Sequence, residues 1–311
     1  MGDNYKSYKI AKQHLINKYS NIVPRLRRAS KSVDSFVTID NYLDTEFSLG
    51  YLANPDKINY LYTHWENIND FIKILIKNIK FDDVVCIPDT VTKYYNSNGI
   101  SRNIIIYYVN DNKLVIPEKI IDTIQRCDNK RFVYFNLDIY GQHVSHANMI
   151  IIDLHNKTVE RYEPHGKYRS HEKEGAIIER ELDDKFKILI KYLGLNKYKY
   201  IPPTKLSPPI GLQRIADAYE GMCVTYCLIY LQLRIMNPDV KQIELVNYLK
   251  KKKPTKLIEI ILKYASYVEK ELKKNKKEII KERNDLYENK PKELYEYIII
   301  DKLNQIEKDR L

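Results

Sequence analysis

Glycine is scarce in this chain, at nine residues in 311. No Gly-rich run leads into a Lys-Ser/Thr pair, which excludes a phosphate-cradling nucleotide loop. There is no HExxH helix and no serine nucleophile elbow, so zincin and serine-hydrolase chemistry of those kinds is excluded as well. No stretch approaches the roughly 18 consecutive apolar residues of a membrane-spanning helix. The N-terminus lacks an apolar signal core, so a cytoplasmic protein with no membrane span is expected. Cysteine is also sparse: Cys86, Cys127, Cys223 and Cys227. Forty residues separate the upstream pair, with no matching knuckle, so the four do not form a zinc signature. In a cytoplasmic chain their thiols are expected to stay reduced.

What is abundant is tyrosine, with 27 residues, within a hydrophobic content of 44% that supports a substantial core. The net charge of +11 is unevenly spread. Residues 1–34 carry eight Lys/Arg against two Asp/Glu, and residues 241–311 carry nineteen against thirteen, whereas the middle is close to neutral. Three parts are expected: a basic helical extension over 1–80, a core over 81–240 and a charged helical appendage over 241–311. An amphipathic helix is expected over 5–28, and a second, Trp65 to Ile79, should pack on the core with Asp70 and the lysines in water. From Thr255 to about Arg310 the pattern reads as a long helix interrupted near Pro291, outside the core. The basic ends suit a nucleic acid or an acidic partner, with solvated arms as the plain alternative.

Between Asp82 and Gly141 the signature is that of strands, at Val84–Ile87, Ile104–Val109, Leu114–Ile116 and Phe132–Leu137, with a short helix at Ile120–Cys127. Residues 167–185 read as a charged loop before a helix at Phe186–Leu193. Pro202-Pro203 and Pro208-Pro209 bracket a loop ending in Gly211-Leu212-Gln213.

The stretch Gly221-Met222-Cys223 runs into an apolar segment in which Val224, Leu228, Leu231 and Ile235 recur at helical spacing, stopped by Asn237-Pro238-Asp239. Cys223 therefore heads a buried helix, beside unpaired backbone N–H groups and the positive end of the dipole. A small buried hydrophobe is the plain reading of such a cysteine. A second stretch points elsewhere. His146 to Asp153 is an apolar run, Lys157 to Glu163 alternates apolar and charged residues, and Leu154-His-Asn-Lys157 supplies a turn. An even loop places Glu163 on the same sheet face as His146, and an odd one places it opposite. A carboxylate beside an imidazole fixes its tautomer, and that imidazole can activate a thiol. His143 and His165 are alternative bases, and Asp153 is an alternative acid at the far end of the hairpin. Asn148 shares the strand parity of His146.

The separation of 17 between His146 and Glu163, with Gln213 shortly before Cys223, resembles the adenain/ubiquitin-like-protease clan of cysteine peptidases. The segments HANMIIID, ERYEPHG, GLQ and GMC look most like divergent members from large cytoplasmic DNA viruses. Val224 stands where many members have glycine, and Ala147 where an aromatic residue is common.

The resemblance implies an α+β fold, in which a mixed central β-sheet is joined by a buried helix headed by the catalytic Cys, with helical N- and C-terminal extensions. It further implies a cysteine protease with nucleophile Cys223, base His146, acid Glu163 and oxyanion donor Gln213, needing no cofactor or metal. Its protein substrate would be a ubiquitin-like modifier conjugate or a viral structural precursor, in the host cytoplasm or the virion. A same-clan acetyltransferase and a non-catalytic scaffold binding nucleic acid or virion components are the alternatives.

Overall fold

The computed structural model describes residues 65–79, 84–86, 91–93, 100–117, 119–141, 145–166, 173–207, 211–216, 222–288 and 297–299. The expected helix over 5–28 and the basic arm, like His143 and Gly221, lie outside them. The fold is α+β. Its strands are β1 (Val85–Cys86), β2 (Val91–Lys93), β3 (Ile100–Arg102), β4 (Ile104–Tyr108), β5 (Lys113–Pro117), β6 (Phe132–Tyr140), β7 (Ser145–Asp153), β8 (Thr158–Tyr162), β9 (Lys199–Ile201) and β10 (Tyr297–Ile299). The main sheet runs β10-β5-β4-β6-β7-β8-β9, with β1 parallel to the start of β6. It is mixed: β4 and β6 are parallel, β7 is antiparallel to both β6 and β8, and β9 adds parallel to β8. A separate β2–β3 ribbon completes the strands among the described residues.

Helices cover both faces, which is why β6 and β7 read as almost unbroken apolar runs. On one face, Phe132, Tyr134, Met149 and Ile151 pack with α1 (Trp65–Ile79), α6 (Cys223–Met236), α7 (Gln242–Lys250) and α8 (Pro254–Lys274). On the other, Val133, Phe135, Leu137, Ile150 and Ile152 pack with α2 (Ile120–Gln125) and α3 (Lys173–Tyr192). Two short helices, α4 (Pro203–Leu206) and α5 (Leu212–Ala216), lead into α6, and α9 (Lys276–Glu288) follows α8.

Several expectations give way. α7 and α8 do not stand outside the core: Leu245, Val246, Leu249, Leu257, Ile261, Tyr264 and Ala265 are buried in the same cluster as α6. Their stripe recurs at three- and four-residue steps, and the lysines between them masked it. The long helix to Arg310 is also replaced. Beyond α9, β10 pairs antiparallel with β5, Ile298 opposite Ile116. α3 begins at Lys173, well before Phe186, and Asp70 is buried instead of facing water. Cys86 and Cys127 are disulfide-bonded, with Cα atoms 5.6 Å apart. The parallel pairing of β1 with β6 brings them together, a long-range contact that spacing alone does not reveal.

Candidate active site

The β7–β8 hairpin decides where His146 and Glu163 sit. Asp153 is opposite Thr158, so the loop of residues 154–157 is even. Glu163 follows β8 directly and projects to the face of His146 and Asn148. His146 Nε2–H donates to Glu163 Oε1 at 2.5 Å. The other carboxylate oxygen, Oε2, accepts from Asn148 Nδ2 at 2.8 Å, and Oε1 also accepts the backbone N–H of His165 at 2.8 Å. With Nε2 taken, Nδ1 is the ring nitrogen left free for a thiol, and Cys223 lies near enough for its side chain to favour the charged ring. The imidazole and carboxylate are thus paired, with the Cys223 thiol beside the ring. Cys223 is 8% exposed, His146 4% and Glu163 0%.

The electrostatics follow from this burial. Burial alone lowers the pKa of His146, but the Glu163 carboxylate, its hydrogen bond and that of Cys223 outweigh it and push the ring from 6.5 up to about 10. His146 is therefore an imidazolium at neutral pH. Its ring stacks on that of His165, with centroids 4.3 Å apart.

α6 reaches this spot because one stripe of it faces the sheet. Cys223, Cys227, Tyr230 and Arg234 recur at steps of four, three and four. Cys227 Sγ donates to Ala147 O at 3.6 Å, next to His146. Tyr230 stacks on Tyr162 at 4.2 Å, and its hydroxyl donates to Glu160 at 2.6 Å. Arg234 donates to Glu160 at 3.0 Å and to Asp153 at 2.9 Å. Asp153, the alternative acid, is thus committed to this clamp at the far end of β7.

Gln213 is buried near the start of α5, and its backbone N–H donates to Pro164 O at 3.1 Å. Gly211 N–H donates to His165 O at 2.9 Å. A Cβ on Gly211 would collide with the backbone of Pro164, His165 and Gly166, so only glycine lets the Gln213 loop close on the turn after Glu163.

No family model matches the chain. One relative is an ankyrin-repeat protein of Acanthamoeba polyphaga mimivirus, 27% identical over 177 residues, which cover 49% of this chain and 23% of that protein. The chain thus spans about a quarter of the length of the relative it matches. Ankyrin repeats are stacks of paired helices, and the described residues form a central sheet instead.

His146, Glu163 and His165 each offer a donor atom within 4.8 Å of the others, the one such trio among the described residues. Within this trio the contact the structure shows is the His146–Glu163 hydrogen bond. The residue that sequence reasoning missed is Arg161. It is fully buried two positions before Glu163, on the strand face it shares with Val159, and a buried guanidinium needs acidic partners around it.

Proposed function

We propose that this protein is a cysteine peptidase, and the alignment of Cys223, His146 and Glu163 is the observation that carries the reading. Cys223, its proton already carried by the His146 imidazolium, attacks the carbonyl carbon of a peptide or isopeptide bond as the thiolate. The tetrahedral oxyanion is held by the Gln213 side chain and backbone N–H at the head of α6. As the C–N bond breaks, His146 gives its proton to the leaving amine, and an acyl thioester remains on Cys223. Water, deprotonated by the now neutral His146, then attacks the thioester, releases the acid and restores the thiolate beside the imidazolium. Glu163 keeps Nε2–H directed away from the sulfur and stabilises the imidazolium.

The substrate class is a ubiquitin-like modifier conjugate or a structural precursor with a small-residue tail. The resemblance of the HANMIIID, ERYEPHG, GLQ and GMC segments supports that choice, and the viral relative is compatible with it. A panel of modifier-derived electrophilic probes and precursor peptides tests the reading. Wild type is expected to label and turn over, Cys223→Ala to do neither, and Gln213→Ala to lose about 10²- to 10³-fold in kcat. Failure of the wild-type protein to react with any member of the panel would sink the substrate assignment.

A further inference from the structure

We infer that Arg161 is a positioning residue, acting through Asn148 to set the Glu163 carboxylate. This rests on the peptidase reading for its meaning in catalysis, although the geometry stands without it. Arg161 lies on β8, two residues before Glu163 and on the same face, and is fully buried. Its Nη1 donates to Asn148 Oδ1 at 2.8 Å. Its Nη2 donates to Glu179 Oε2 at 2.5 Å and Asp183 Oδ1 at 2.9 Å, both on α3. Its Nε donates to the Tyr200 hydroxyl at 3.2 Å, which itself donates to Asp183 at 2.6 Å.

The consequence concerns the direction of one amide. Asn148 has an oxygen end that only accepts and a nitrogen end that only donates. Because Arg161 donates to Oδ1, Nδ2 must point the other way, into Glu163 Oε2. Reversing the amide would set donor against donor at Arg161 and oxygen against carboxylate at Glu163. A guanidinium is needed for this. Its fork reaches Asn148, Glu179, Asp183 and Tyr200 at once, whereas an ammonium is a point charge on a flexible stem. Arg161 also balances Glu179, whose negative charge would otherwise face Glu163 uncompensated. The chain of contacts thus runs from α3 through Arg161 and Asn148 to Glu163, and from there to the imidazole that meets Cys223.

The test compares the full-length wild type with Arg161→Lys, Asn148→Ala and the double variant. One measurement is the NMR titration of the His146 imidazole, and the other is kcat and KM on whichever panel substrate the wild type cleaves. The groups facing His146 are Glu163, Cys223 and His165, those facing Arg161 are Asn148, Glu179, Asp183 and Tyr200, and Glu163 also feels Glu179, Tyr162 and Cys227. Each single variant is expected to lower the His146 titration midpoint and to reduce kcat by about 10- to 100-fold with little change in KM. The double variant should be no worse than Asn148→Ala, because Arg161 acts through that amide.

Folded variants whose His146 midpoint matches wild type would overturn the inference, as would penalties that multiply in the double variant. The imidazole titration needs no turnover. If the midpoint moves while no substrate is cleaved, the positioning role stands and the peptidase reading fails. If wild type cleaves and neither variant moves the midpoint, the reverse holds.

Discussion

A buried histidine ordinarily loses its proton, because burial penalises the cation; His146 keeps it because the Glu163 carboxylate on Nε2 and the nearby Cys223 favour the charged ring. The sign of the pH dependence follows. The folded-state pKa is raised from 6.5 to about 10, so the stability from this pair is fully present below about pH 6.5 and lost as pH rises through about 10. In Glu163→Gln the charge that outweighs burial is gone, and the His146 midpoint should fall below 6.5. The alkaline limb of kcat/KM should move from near pH 10 to below neutrality, taking most activity at pH 8 with it. A Glu163→Gln enzyme whose alkaline limb stays at wild-type pH would refute this account. The His146–Glu163 contact was legible in the sequence because a four-residue turn fixes strand parity. The Arg161–Asn148 contact was not, since parity puts two side chains on one face without saying which amide end meets which neighbour.

At the scale of the element, α6 carries the nucleophile, and its clamp determines where Cys223 arrives. Arg234 and Glu160 are both buried, and Asp153, Tyr230 and Gln242 join them. Removing one member of a buried ion pair strands the other, at a cost of about 3–5 kcal/mol. Arg234→Met, which conserves length and apolar stem, should therefore lower urea stability by about that amount. Glu160→Gln on top of it should recover part of the loss, because one stranded charge is removed. An Arg234→Met protein within about 0.5 kcal/mol of wild type would show that the clamp is dispensable. The helix itself was legible from Val224, Leu228, Leu231 and Ile235. Its orientation was not, because all fourteen residues are buried and apolar spacing marks no single face. The polar members of the stripe, Tyr230 and Arg234, mark the side that meets the sheet. α3 shows the converse, since charges over 173–185 read as loop although Glu179 and Asp183 are the partners that Arg161 requires.

For the whole molecule, the chain past residue 240 closes the layer that covers α6. Tyr264 on α8 donates to Gln232 Oε1 at 2.7 Å, and Phe71 of α1 meets Tyr264 and Tyr267 edge-on, with centroids 6.1 Å and 5.7 Å away. Segments from both ends of the described chain thus converge on the back of the helix bearing Cys223, and β10 extends the sheet beside β5. A basic surface and a buried stripe coexist on α8 because its lysines and its apolar residues occupy different sides of one helix. A fragment of residues 81–240 would expose the apolar sides of α6 that Leu257, Ile261 and Tyr264 cover. It is expected to lack a cooperative thermal transition and to leave Cys223 alkylating at the rate of an unfolded thiol. The full-length protein should unfold cooperatively, with the Cys223 reaction rate following the titration of His146. A fragment 81–240 that melts cooperatively and matches the full-length alkylation profile would mean that α1 and α8 merely decorate a core complete without them.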